Sequence, residues 1–132
     1  MAMPSESKRV LLVDGDQPTL GLLECWLSEA GYDVIACARF EDAKTYLAGH
    51  APDILLADIR LGAFNGLQLA LLLKGEHPAA RAIVFSDYED PVLQAEATRC
   101  GARFVRKPET SATLLSCLEG PLEVAPSSPA GP

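Results

Sequence analysis

The stretch Pro52-Asp53-Ile54-Leu55-Leu56-Ala57-Asp58 decides how this chain is read. Four apolar residues in a row are entered through a Pro-Asp pair and stop on an acid. A short continuous apolar run bounded by turn signals is what a strand covered on both faces requires. Working outward, the same pattern recurs on either side. Val10-Leu11-Leu12-Val13 runs into Asp14-Gly15-Asp16, Ala82-Ile83-Val84-Phe85 runs into Ser86-Asp87, and Phe104-Val105-Arg106 leads to Lys107-Pro108.

The segments between these runs carry helical spacing. Leu20, Leu23, Leu27 and Ala30 share one face of a helix predicted over Pro18–Ala30, with Pro18 suited to its first turn and Gly31 to the position after its last. Ala43 and Leu47 lie together on a helix over Phe40–Ala48 that follows a strand at Val34–Ala38. A loop at 60–65 leads to a third helix over Gly66–Glu76, stopped by Pro78. Asp90-Pro91 reads as the cap and first turn of a fourth helix, which ends before Gly101. The fifth begins after Pro108, is capped by Thr110 or Ser111, and carries Leu114, Leu115 and Leu118. With strands at Arg9–Val13, Val34–Ala38, Ile54–Ala57, Ala82–Phe85 and Arg103–Arg106, strand and helix alternate five times. Such alternation implies right-handed crossovers and a parallel sheet. The expected fold is α/β, a doubly wound five-stranded parallel sheet of (βα)5 type in the flavodoxin-like order 2-1-3-4-5.

Bulk properties narrow the class. At 132 residues, 48% apolar and 22% charged, the chain has the balance of one soluble globular domain with a real core. A net charge of −7 argues against non-specific nucleic-acid binding, which needs cations to displace phosphate counterions. Residues 1–9 lack an apolar signal core and no stretch is long enough to span a membrane, so a cytoplasmic protein is expected. Cys25, Cys37, Cys100 and Cys117 show neither CxxC pairing nor ligand-like spacing with His50 or His77, and read as buried thiols. Trp26 and Phe40 read as packing residues, and both histidines as solvent-facing. Residues 1–7 are expected to be a disordered N-terminus, 8–120 the domain, and 121–132, rich in Pro, Ala and Ser, a disordered tail or linker stub.

In an open α/β sheet, ligands bind beyond the carboxyl ends of the strands. Asp14, Asp16, Asp58, Ser86 and Lys107 all fall there, although they are far apart in sequence. A carboxylate such as Asp58 accepts a phosphoryl group to form an aspartyl phosphate. Bringing a phosphate dianion to a carboxylate needs compensating charge. Mg2+ supplies it, and that ion favours one or two carboxylates together with phosphate oxygens and water. Asp14 and Asp16 are the available carboxylates, Lys107 a point charge for one phosphate oxygen, and Ser86 a hydroxyl donor for another. Ser86 lies in no Gly-x-Ser-x-Gly elbow and is not a hydrolase nucleophile.

In this arrangement the chain resembles the receiver domain of bacterial response regulators over about Lys8 to Glu119. The stretches that carry the resemblance are Val10–Asp16, Pro52–Gly66 (PDILLADIRLGAFNG), Ile83–Ser86, and Gly101-Ala102 followed by Lys107-Pro108. The resemblance implies that Asp58 is the phosphoacceptor and that Asp14 belongs to the acidic Mg2+ cluster, with the backbone carbonyl of Arg60 completing the metal site. Ser86 becomes the switch hydroxyl, Lys107 the phosphate-contacting lysine, and Phe104 the rotating aromatic. It further implies a sensor histidine kinase or histidine phosphotransfer protein as donor. A downstream protein would dock on the face of helix 4, strand 5 and helix 5, where homodimers of such domains also form. Catalysis would be limited to self-catalysed phosphotransfer and autodephosphorylation.

The chain departs from that pattern at four places. Gly15 stands where such domains carry a second acid, so Mg2+ binding is expected to be weak. Asp16, one residue on, either swings inward as a substitute ligand or favours the start of helix 1. Gly62 replaces a common proline and should loosen the loop after Asp58. The span from Gly101 to Lys107 is one residue short, and Phe104 replaces the commoner Tyr. Arg60 is open to two readings, pairing with the acids or shielding the phosphoryl group from water.

Two rival functions follow from these residues. Gly15 is compatible with a degenerate receiver that binds proteins without being phosphorylated. Asp14-Gly15-Asp16 also resembles the DxD motif of haloacid-dehalogenase-like phosphohydrolases. Against that enzyme stand Pro18, four residues after the first Asp, where the motif wants Thr or Val, and the absence of any Asp after Asp90.

Overall fold

The computed structural model describes residues 8–119. The expected terminal segments at 1–7 and 121–132 lie outside the described residues. Ten main elements alternate: β1 (Arg9–Val13), α1 (Gln17–Glu29), β2 (Asp33–Cys37), α2 (Phe40–Gly49), β3 (Ile54–Asp58), α3 (Gly66–Glu76), β4 (Arg81–Ser86), α4 (Pro91–Arg99), β5 (Arg103–Arg106) and α5 (Ser111–Glu119). The strands form one parallel sheet in the order β2-β1-β3-β4-β5, which is the flavodoxin-like order expected. A separate two-strand hairpin, Arg60–Leu61 against Phe64–Asn65, follows β3.

The central strands are apolar throughout because both faces are covered. Val10, Leu12, Ile54, Leu56, Ile83 and Phe85 face one layer, packed with Leu20, Leu23 and Leu27 of α1 and Leu114 and Leu118 of α5. Leu11, Val13, Leu55, Ala57, Ala82 and Val84 face the other, packed with Ala43 of α2, Leu69 and Leu73 of α3 and Ala97 of α4. Each fully buried leucine in these layers is worth on the order of 1.5–3 kcal/mol of transfer free energy.

Helix starts are specified locally. Asp90 accepts from the Val92 and Leu93 backbone N–H groups at 3.0 and 3.2 Å, with Pro91 in the first turn of α4. Asn65 and Gln68 form a reciprocal capping box at the start of α3. Thr110, rather than Ser111, caps α5 by accepting from Thr113 N–H at 3.1 Å.

Some expectations are corrected. Ala30 is not on the buried face of α1 but is its exposed C-cap. Cys25 is not a buried thiol: it is exposed and contacts Glu29 Oε2 at 3.5 Å, while the other three cysteines are half-buried. Gly62 stands at the turn of the hairpin after β3. Its φ of 66° places it in the left-handed region that a tight hairpin turn needs, and the flanking residues pair across it. His50 and His77 are exposed, and Trp26 packs at the edge of the α1–α5 layer.

Candidate functional site at the carboxyl edge of the sheet

β1, β3, β4 and β5 end side by side, and the side chains that follow them gather at one point. Asp14 directly follows β1, where its N–H donates to the Cys37 carbonyl at 3.1 Å. Its side chain is fully buried. Oδ1 accepts from the Asp16 N–H at 2.9 Å, whereas Oδ2 has no hydrogen bond. The Lys107 ammonium lies 3.1 Å from that Oδ2, an ion pair whose approach is not aligned as a hydrogen bond. The same ammonium donates to Asp58 Oδ2 at 3.4 Å. One cation thus bridges two carboxylates that are 44 residues apart in sequence.

Lys107 is aimed by the sheet. Its backbone N–H donates to the Ser86 carbonyl at 2.8 Å, extending the β4–β5 ladder by one residue beyond the Ser86↔Arg106 pair. Its Nζ stands 5.3 Å from the centre of the buried Phe85 ring. The spacing from Gly101, short by one residue, does not prevent the reach. Burial opposes the ammonium's charge, yet Asp14 and Asp58 outweigh it and hold its pKa above the ordinary lysine value. Burial also pushes the Asp58 carboxyl above the usual range, reinforced by the negative charge of Asp14 and opposed by Lys107. Asp58 Oδ1 accepts from the Arg60 N–H at 3.3 Å.

Ser86 closes β4 and is almost fully buried. The preceding residue, Phe85, pairs with Asp58, so Ser86 sits one residue beyond the level of Asp58 on the adjoining strand. Oγ accepts from the Tyr88 N–H at 3.1 Å, which leaves the hydroxyl proton free to donate.

Three sequence candidates stand apart from this group. Asp16 is engaged elsewhere: its carboxylate accepts from the Thr19 N–H at 3.1 Å and from the Thr19 hydroxyl, as the N-cap of α1. Those two Thr19 contacts, hydroxyl first, hold its pKa below the ordinary value. The reading of Asp16 as an inward-swung metal ligand is therefore replaced by the capping role. Phe104 lies half-buried on β5 opposite Val84, packed against the α2–α3–α4 layer. The Arg60 guanidinium pairs with neither Asp14 nor Asp58; its Cζ lies 6.0 Å from the Tyr88 ring, so the residue after Asp58's neighbour leans toward the loop after β4.

The segment after Asp58 is held on its other side too. Phe64 stacks on Phe40 at the start of α2, with ring centroids 4.3 Å apart and planes 12° from parallel. Gly66 opens α3 directly against the β3 backbone, where a Cβ would fall 2.5 Å from the Asp58 carbonyl oxygen. Residues 60–65, expected as a loop, form the hairpin. The Asn65-x-x-Gln68 spacing was the available signal for its ordered exit.

These donors fit a hard divalent cation in part. A buried carboxylate oxygen without a hydrogen bond, next to a second carboxylate, is the oxygen set that Mg2+ takes. No group of three acidic, His or Cys side chains is assembled to hold a metal among the described residues. No helix among them is long and apolar enough to cross a membrane.

The sequence matches the family model of the response regulator receiver domain over residues 10–119. It is 30% identical over 105 residues to Regulator of RpoS of Escherichia coli, covering 80% of this chain and 31% of that protein. It is 33% identical over 114 residues to the transcriptional regulatory protein AruR of Pseudomonas aeruginosa, covering 82% and 46%. The chain thus spans less than half the length of either relative. A CheY-like receiver domain protein from Methanospirillum hungatei superposes with a TM-score of 0.82 at 24% identity, over 89% of this chain and 94% of that one. A response regulator from Burkholderia pseudomallei, solved with a phosphorylated aspartic acid, calcium and citrate, superposes at 0.78 and 25% identity, over 86% and 68%.

Proposed function

Because the chain belongs to the response regulator receiver domain family, we propose that it is a signalling switch whose Asp58 accepts a phosphoryl group from a phosphohistidine. The donor is a sensor histidine kinase or a histidine phosphotransfer protein. An Asp58 carboxylate oxygen attacks phosphorus, the N–P bond breaks, and the imidazole leaves with the electron pair. Mg2+, when bound, supplies positive charge to the phosphoryl oxygens; Asp14, Asp58 and the Arg60 carbonyl are the residues that would hold it. Lys107 keeps its charge at every physiological pH and neutralises one phosphoryl oxygen, while Ser86 donates its free hydroxyl proton to another.

The observation that carries this reading is the Lys107 ammonium set 3.4 Å from Asp58 and 3.1 Å from the buried Asp14. A phosphoryl group on Asp58 gives that ammonium and the Ser86 hydroxyl a new common partner. Their movement shifts the loops after β3 and β4, and with them Phe104 and the α4–β5–α5 face on which a downstream protein docks. A cytoplasmic setting follows from the donor. Buried and ion-paired, Asp14 is a poor nucleophile, and the family match sets the phosphohydrolase reading aside.

Mass spectrometry after treatment with acetyl phosphate and Mg2+ tests the assignment. One phosphoryl group is expected on the wild-type chain and none on Asp58→Asn. Equal labelling of that variant refutes it. A second reading, a phosphorylation-independent binding module, is favoured by Gly15 and by Asp16 serving as a cap; an unlabelled wild-type chain would select it.

A further inference from the structure

Phe85, the last apolar residue of β4, is fully buried, yet its ring does more than fill the α1–α5 layer. It stands beside Asp58 in the β3–β4 register, and its carbonyl accepts from the Ile59 N–H at 2.9 Å. The Lys107 ammonium lies over the face of the ring, 5.3 Å from its centre. An aromatic face attracts a cation at that distance, and most strongly where water is excluded. Only 15% of the Lys107 side chain is exposed. An aliphatic side chain in place of the ring would pack but offer the ammonium nothing.

Three carboxylates act on this ammonium. Asp14 and Asp58 lie 3.1 and 3.4 Å away, and the exposed Asp87, the residue after Ser86, adds a third attraction. Lysine is a point charge on a flexible four-carbon stem, so carboxylates alone leave its direction open. The ring supplies direction, because its negative face belongs to a rigid, buried residue of the central sheet. We infer that Phe85 is a positioning residue: its ring holds the Lys107 ammonium beside Asp58, where an incoming phosphoryl oxygen needs it, and keeps it from the exposed Asp87. With that attraction removed, the ammonium spreads over a wider set of positions. Only the fraction still beside Asp58 then supports transfer. This rests on Asp58 being the acceptor and adds what orients its lysine.

Fluorinated phenylalanines placed at position 85 of the full chain test this. Fluorine draws charge from the ring face and leaves the shape of the ring nearly unchanged, so packing is kept while the attraction falls. The rate at which acetyl phosphate and Mg2+ label Asp58 should drop stepwise, about twofold with monofluorophenylalanine and about fivefold with trifluorophenylalanine. Phe85→Leu, apolar but without a ring, should slow labelling about tenfold. Proton NMR reads the geometry with no phosphoryl group present. The protons on Lys107 Cε should resonate upfield of those of the exposed Lys44, displaced by the ring current, and should lose that displacement in Phe85→Leu. A labelling rate independent of fluorine content overturns the inference, as does a Lys107 resonance no different from that of Lys44. A labelled chain indifferent to fluorine removes this inference alone, whereas an unlabelled wild-type chain removes it together with the reading beneath it.

Discussion

Two glycines of α3 permit a matched perturbation whose outcomes have opposite sign. At Gly66 an added methyl would sit 2.5 Å from the Asp58 carbonyl oxygen and 3.2 Å from the Ala57 Cβ. Both belong to β3, in the middle of the sheet, so neither gives way as a flexible side chain would. Forcing a methyl into such a site costs about 1–3 kcal/mol. Alanine recovers at most about 1 kcal/mol through helix propensity, and less in the first turn. Gly66→Ala should lose about 2 kcal/mol net, roughly 10 °C in Tm for a domain of this size. Gly75, nine residues along the same helix, has nothing within 4 Å of its Cβ position. Gly75→Ala should therefore be neutral or gain about 0.5–1 kcal/mol. Thermal melts followed by circular dichroism read both variants. Because the clash falls on the backbone of the proposed acceptor itself, Gly66→Ala should also slow acetyl phosphate labelling of Asp58, while Gly75→Ala should not. A Gly66→Ala variant as stable as the wild type would refute the close approach of α3 to β3.

Further outcomes follow from the same geometry. Burial raises the Asp58 carboxyl pKa, so the folded state favours its protonated form and this residue's contribution to stability is lost as pH rises through that raised value. Asp58→Asn should melt higher than the wild type near neutrality, and the gap should narrow toward about pH 4, where the unfolded carboxyl also protonates; a gap independent of pH contradicts this. Asp90→Ala removes an acceptor for two backbone N–H groups at the start of α4 and should cost about 0.5–2 kcal/mol, with amide exchange accelerated in the first turn. Phe64→Ala should cost about 1 kcal/mol through loss of the Phe40 stack, measured by urea unfolding; an unchanged midpoint counts against an ordered hairpin.

The fold was legible because its signals are local. The runs at Val10–Val13, Ile54–Ala57 and Ala82–Phe85 are apolar without alternation, which only strands covered on both faces sustain. Proline and capping residues such as Asp90-Pro91 marked the helix starts to within a residue or two. The common position of Asp14, Asp58 and Lys107 was legible for a topological reason, since parallel strands deliver their carboxyl ends to one edge. Side-chain direction was not. Whether Asp16 turns inward or caps α1 depends on Thr19 three residues later, and a hydroxyl at that spacing competes with a metal without leaving a distinct pattern. The hairpin after β3 was missed because two-residue strands carry no periodicity, and its Phe64 anchor lies 24 residues from its partner Phe40.

One backbone hydrogen bond, from Lys107 N–H to the Ser86 carbonyl, fastens the hydroxyl and the ammonium to a shared mount. The two cannot answer a visitor separately: whatever tugs the serine carries the lysine's anchor with it. A pull on either residue is thereby passed to both strand ends, so a chemical group that engages only one of the two side chains still loads the pair.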